Sequence, residues 1–370
     1  MPVAITAYGI VSAHGKGLEP LAEALRAGTT GVRPLTAFSA DGLCSNLAAQ
    51  APVETTGDRA FGLLKLAAEE ALGWREWAPS KRRAVFLGST KGSLPRVLEK
   101  GESDPFAHLT AWLAERVRAR GPVRAIGSAC ASSSFAVGAA LQLIESGACD
   151  EAVVAGVEAL HPFVYSGFHA LKAMSPRPAA PFDANRQGLS MGEGAAVLVL
   201  ESAGSATANR RKPLGWIDGF GGASDAHDQT APHPAGEGLL RACQAALKSS
   251  GLEVGAVGRY HAHGTATVQN DAMEAAMCER LFGPRGIPLC ATKGSIGHTL
   301  GAAGVLDLLG CLAALNAREL WPVIGLQQLD PKLAVDAVTA IRADANPRAL
   351  IATAGFGGIN AALLLRRNES

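Results

Sequence analysis

Short apolar runs closed by glycine or charge recur along the chain: AVFLGS from Ala84, EAVVAG from Glu151, AAVLVLE from Ala195, ALIATAG from Ala349 and AALLLRR from Ala361. Runs apolar at successive positions bury both faces, which predicts strands of a sheet covered on two sides. Between them the pattern turns helical and alanine-rich, in FGLLKLAAEEALG from Phe61, GEGLLRACQAALKSSG from Gly236 and DAMEAAMCERLFG from Asp271. This alternation predicts an α/β architecture. The opening MPVAITAYGIVSAHG has no basic start before its apolar stretch, so it reads as a first strand and not as a secretory leader. No charge-free apolar run of about 18 residues occurs, so no membrane insertion and a cytoplasmic location are expected.

The clearest internal boundary is SATANRRKP at residues 205–213, a polar, basic, proline-ended link after the run that ends at Glu201. It divides the chain into an N-terminal half, 1–208, and a C-terminal half, 209–370. The halves echo each other: GSACASSSFAVGAALQLI from Gly127 and GSIGHTLGAAGVLDLLGCL from Gly294 both run glycine-serine, small residues, then an amphipathic helix. A duplicated βαβ unit would produce this echo, and so would the shared composition of two small-residue helices.

Composition narrows the classes. The chain has 370 residues, 48% hydrophobic and 18% charged, with 43 Gly and 20 Pro, which excludes a disordered polar tail and a collagen-like repeat. Lys plus Arg number 34 against 33 Asp plus Glu, so no global field draws the protein to nucleic acid or anionic membrane. The seven cysteines are scattered without a CxxC pair, which disfavours a disulfide framework and a zinc ribbon.

Four constellations could carry chemistry. Cys130, in Gly127-Ser128-Ala129-Cys130-Ala131-Ser132, stands where a strand leads into a helix. A helix N-terminus favours the nucleophilic thiolate, and neighbouring backbone N–H groups can hold an oxyanion. The other six cysteines read as inert and buried. His261 and His263 alternate onto one strand face, a pattern found in some metal sites, yet no third ligand follows at a fitting spacing. Asp271 and Glu274 are accounted for as residues of a helix start. Lys293 and His298 open the second small-residue helix. Ala354-Gly355-Phe356-Gly357-Gly358 is a glycine-rich turn between two strands; it lacks the Lys-Ser/Thr and the helix of a phosphate loop.

Together these motifs resemble the β-ketoacyl-acyl-carrier-protein synthases of the thiolase-like superfamily. The resemblance spans almost the whole chain, from VAITAYGIVSAHG through SACASSS, PFDANRQGLSMGEGAAVLVLE, SDAHDQTAPHP, HAHGTATVQNDAMEA and KGSIGHTLGAAG to AGFGGINAALLL. It implies two thiolase-like halves layered α/β/α/β/α and a decarboxylative condensation of an acyl-enzyme with malonyl-acyl carrier protein. It assigns Cys130 as the acyl acceptor, His263 and His298 as the pair at the malonyl thioester, and Lys293 as the active-site lysine, ion-paired to Glu274. By the same resemblance Phe356 is the gate, its N–H joining that of Cys130 in the oxyanion hole. Thr265 and Thr267 contact the phosphopantetheine arm, and Arg186 marks carrier-protein docking. No metal and no organic cofactor are implied. The implied partners are acyl carrier protein and a second subunit, identical or a related synthase-like chain.

The chain departs from the pattern in several places. The segment between residues 93 and 130 is short, and it normally builds the dimer contact and acyl pocket. His261 replaces an acid or amide, Ala266 a glycine, and Ile359 a small hydroxyl residue. These leave substrate choice open between fatty acid, polyketide and polyene synthesis. A thiolase would carry a second catalytic cysteine near residues 353–360, where there is none. A non-catalytic chain-length-factor-like partner would usually lack the nucleophile that is present here.

Overall fold

The computed structural model of the protein describes residues 2–73, 76–80 and 82–369. The first half supplies strands β1 (Val3–Ser12), β2 (Arg83–Gly88), β3 (Val123–Ile126), β4 (Glu151–Glu158) and β5 (Gly194–Ser202). The second supplies β6 (Gly215–Ser224), β7 (Arg259–His261), β8 (Pro288–Cys290), β9 (Asp336–Ala337), β10 (Arg348–Gly355) and β11 (Ile359–Arg367). All five apolar runs picked out by the sequence pattern are strands. The helices that position the site are α1 (Arg59–Leu72), α2 (Ala107–Arg116), α3 (Ser132–Glu145), α4 (Pro162–Ala170), α5 (Glu237–Ser250), α6 (Val268–Phe282) and α7 (Ala303–Ala317).

The spatial order is β9-β8-β7-β10-β11-β6-β1-β5-β4-β2-β3. Counting each half in chain order and setting aside the two-residue β9, both halves read 3-2-4-5-1 from the outer edge inward. Within each half the second strand runs parallel to the third and fourth, and the fourth is antiparallel to the fifth. The halves join where β1 and β6 pair antiparallel, Val3 opposite Ile217 and Ile5 opposite Gly215. The echo between the small-residue helices is therefore matched by a repeated topology, which composition alone would not produce.

Alternate residues of the strands face different layers, which makes five layers of the fold. Val85, Leu87, Val153 and Val197 pack on α1 and α2, while Phe86, Val154 and Leu198 face α3 and α7. In the second half Ile351 and Leu363 face those same two helices, and Leu350 and Leu364 pack on α5 and α6. The α3 and α7 pair is thus the middle layer, apolar nearly all round. Small residues set its spacing: a Cβ at Gly304 on α7 would lie 2.1 Å from Ser134 Oγ on α3, and one at Gly88 2.4 Å from the Ser133 backbone. Each of these two helices is entered through a residue with positive φ, Ala129 (φ 47) before α3 and Leu300 (φ 46) before α7. The two strained turns lie side by side and carry Cys130 and His298.

The link at 205–213 begins as helix, Ala203–Ala208, and its Arg211 is ion-paired to Glu201 and, at 3.7 Å, to Glu151.

Candidate active site

Cys130 is 6% exposed at the floor of a cleft of about 370 Å³ lined also by Phe168, Lys172, Thr265, Thr267, His263, His298 and Phe356. His298 Nε2 lies 3.0 Å from Cys130 Sγ. The His263 ring stands edge-on to it, centroids 5.1 Å apart and planes at 84°. The backbone N–H groups of Phe356 and of Cys130 itself lie close enough to the sulfur to favour its charged form. A carbonyl oxygen added near Sγ meets these two donors, the geometry of an oxyanion hole. Thr265 and Thr267 hydroxyls are 3.0 Å apart on the wall, and Thr267 caps α6 by accepting from the Asn270 N–H.

Burial sets the protonation states. It pushes the Cys130 thiol up to about 12, against the opposing pull of Lys293 and the two N–H donors. The expectation of a resting thiolate at a helix N-terminus is corrected: Cys130 precedes the first turn of α3, and desolvation outweighs the donors. Both imidazoles are held well below the usual histidine range by burial, with Lys293 adding to it. The site is therefore a neutral thiol beside two neutral imidazoles. Nδ1 of each histidine is buried and has no hydrogen-bond partner among the described residues, so the working nitrogens are those facing the cleft.

The ion pair of Lys293 is not the expected one. Its Nζ lies 2.7 Å from Asp307 Oδ2 on α7, both side chains 1% exposed, and the Thr292 hydroxyl donates to the same carboxylate. Glu274 instead accepts from the backbone N–H of His263 (2.7 Å) and Gly264 (2.6 Å), from the Tyr260 hydroxyl and from Asn270 Nδ2. It fixes the backbone that carries His263. Asp307 had a signal in the sequence, a lone charge in the apolar run AGVLDLLGCL. A second buried pair, Lys91 with Glu158, was also missed; Glu158 further takes Ser89 Oγ at 2.9 Å and the Thr90 hydroxyl at 2.7 Å.

Arg186 does not reach the surface. It is 8% exposed, pairs with Asp330 at 2.7 Å, lies 3.6 Å from Asp271 and donates to the Asp183 carbonyl, so it ties the 183–186 turn to the second half. The docking role is withdrawn from it. His261 ends β7 and lines a separate small cavity beside Cys290 and Cys311, away from His263. Of the cysteines read as buried, Cys44 is exposed.

Donor atoms of Cys130, His263 and His298 all lie within 4.8 Å of one another, a set of the kind that takes zinc. The Lys293 ammonium, close enough to depress both imidazoles, opposes a cation there and favours charge of the other sign.

The residues match two family models, "Beta-ketoacyl synthase, N-terminal domain" over 56–206 and "Beta-ketoacyl synthase, C-terminal domain" over 214–327. Among curated relatives, a 3-oxoacyl-[acyl-carrier-protein] synthase 2 of Rhizobium meliloti is 32% identical over 99% of this chain and 98% of its own. The tetracenomycin polyketide synthase ketoacyl synthase alpha subunit of Streptomyces glaucescens is 30% identical over 99% and 97%. Among solved structures, the ishigamide ketosynthase/chain length factor superposes with a TM-score of 0.89 at 29% identity, covering 99% of both chains. A duplicated α/β fold with a thiol under two imidazoles and an N–H pair defines a condensing acyltransferase. Within that class the chain belongs to the β-ketoacyl synthase family. Its reaction is the condensation of an acyl-enzyme thioester with a malonyl thioester, with loss of CO₂.

Proposed function

We propose that the chain elongates an acyl group carried on acyl carrier protein, with Cys130 as nucleophile and His263 and His298 as donors to the malonyl enolate. The observation that carries these roles is the 3.0 Å contact of His298 Nε2 with a sulfur that also faces the Phe356 and Cys130 N–H groups.

In the first half-reaction Sγ attacks the incoming thioester carbonyl. The thiol proton passes to the departing pantetheine sulfur while His298 Nε2–H donates to Sγ, so the imidazole stays neutral with its hydrogen on the cleft nitrogen, and the tetrahedral oxyanion sits between the two N–H groups. This route suits a thiol of raised pKa, because it never requires a free thiolate. In the second half-reaction the malonyl carbon–carboxylate bond breaks, CO₂ departs, and the electron pair spreads onto the thioester oxygen. Neutral His263 and His298 donate N–H bonds to that oxygen, and the Lys293 charge favours the anion. The enolate carbon then attacks the acyl-Cys130 carbonyl, the C–S bond breaks, and the departing Cys130 sulfur takes up one proton from solvent, which restores the thiol. Loss of CO₂ supplies the drive, so this chemistry calls on no metal or organic cofactor. The test is to separate the half-reactions: Cys130→Ala loses acyl transfer and keeps malonyl decarboxylation, whereas His263→Ala and His298→Ala lose decarboxylation.

Docking falls to Lys172, the one ammonium or guanidinium group among the described residues lining the cleft, flanked at the mouth by exposed Leu171 (52%) and Val268 (56%). A cation between apolar side chains suits an acidic carrier protein and the phosphate of its arm. The partner subunit is a second copy or a related synthase-like chain, by analogy with the ketosynthase/chain length factor structure. The working compartment is the cytoplasm, and the pathway is fatty acid or polyketide synthesis.

A further inference from the structure

At the end of the second half-sheet remote from Cys130, Arg348 and Arg366 stand directly opposite each other on the antiparallel pair β10 and β11. Opposed cross-strand residues have Cβ atoms about 4.5–5.5 Å apart, and like charges in that relation destabilise a sheet unless an anion lies between them. One carboxylate answers them. Asp218, at the register shift of β6, takes Arg366 Nε at 2.9 and 3.1 Å and Nη2 at 3.0 Å, but Arg348 Nε only at 3.4 Å. No hydrogen bond is made by the Nη groups of Arg348 among the described residues. The Arg366 guanidinium is further held 5.3 Å over the Trp216 ring. The cluster thus keeps one positive charge in excess, on side chains only 28% and 18% exposed. These residues line a cavity of about 200 Å³ with Pro2, Ser249, Ser250 and Leu252, and Asp218 is its only acid among the described residues.

We propose that this cavity is an anion site that takes the phosphate group of a phosphate monoester, held by the free edge of Arg348 and the remaining N–H of Arg366. Planar guanidinium forks match phosphate oxygens in pairs, and a dianion would offset the excess charge where Asp218 alone cannot. β10 has eight residues, so the cavity lies on the order of 25 Å from the catalytic turn at its other end. It is a separate site, with no part in the binding of the thioester.

The probe is inorganic phosphate, titrated into the full chain by calorimetry and by thermal shift against chloride at matched ionic strength. Saturable binding is expected, weakened at least about tenfold in Arg348→Gln. Asp218→Asn is expected to bind phosphate several-fold more tightly despite a lower melting temperature, because it raises the excess charge. Malonyl decarboxylation should be unchanged in Arg348→Gln. A melting shift no larger than in chloride, binding of equal strength in Arg348→Gln, or weaker binding in Asp218→Asn would each overturn the proposal and leave the arginines as partners of Asp218 alone.

Discussion

Cys130 was legible from its place between a strand and a small-residue helix, whereas the roles of His263 and His298 came only through the family resemblance of the motifs that hold them. Their protonation was not legible, since desolvation depends on what packs over a residue from elsewhere in the chain. With the thiol raised to about 12, its thiolate fraction at neutral pH is smaller than that of a free thiol. Alkylation of Cys130 by iodoacetamide in a Cys44→Ser background should therefore keep rising with pH beyond the plateau of an ordinary thiol, which is reached above about 8.5. A plateau there would contradict the buried neutral thiol. The imidazoles are depressed, so they stay neutral as pH falls through about 6.5, and malonyl decarboxylation should show no loss in that window. An acid limb near that value would contradict it. Removing either histidine should slow decarboxylation on the order of 100- to 1,000-fold. The partner of Lys293 was misread because helix-start logic supplied an acid nearby in sequence, while Asp307 arrives from α7 through the middle layer. Asp307→Asn leaves a buried ammonium unpaired and should cost about 3–5 kcal/mol in stability, measured by urea unfolding.

The apolar strands β2, β4, β5, β10 and β11 and the alanine-rich helices α1, α5 and α6 followed from run length and period, whereas the spacing of α3 and α7 did not. Glycine and serine have low helix propensity, and only the packing shows those in α3 and α7 to be contact residues. Gly304→Ala places its Cβ against Ser134 Oγ and should destabilise by about 1–3 kcal/mol, read from the same unfolding curves. The turn at 355–358 is the glycine-rich element that closes over the site. Gly357 (φ 82) and Gly358 (φ 71) hold it in a backbone region open to glycine, and the Phe356 ring stacks 5.7 Å from Phe168 over the cleft. The turn is tied to the 224–236 loop, Gly357 N–H to the Gln229 carbonyl and Asp225 N–H to that of Gly358, both at 2.7 Å. If the ring gates the thiol, Phe356→Ala should raise malonyl decarboxylation relative to condensation with little change in melting temperature. An unchanged ratio with lowered stability would make the ring a packing residue only.

At the scale of the molecule, the repeated 3-2-4-5-1 order places the two catalytic turns at matching ends of the middle helices, one from each half. The site is a product of the duplication: Cys130 comes from the first copy, and His263, Lys293 and His298 from the second. The sequence echo hinted at this but could not prove it, because topology resides in strand pairing. Docking was the least legible feature, since Arg186 carries its charge in a motif of the resemblance, Lys172 lies outside every such motif, and only burial separates the two. Lys172→Glu should raise the KM for a carrier-bound substrate several-fold, leave kcat nearly unchanged, and flatten the salt dependence of binding. Arg186→Gln should act on stability instead. The claim on which the rest depends is that Cys130 takes up the acyl group. Incubating the purified chain with an acyl-acyl carrier protein and recording its intact mass tests this directly. The expected result is a gain of one acyl group per chain, mapped to the peptide containing Cys130 and absent in Cys130→Ala; an acyl adduct that persists in that variant would contradict the account.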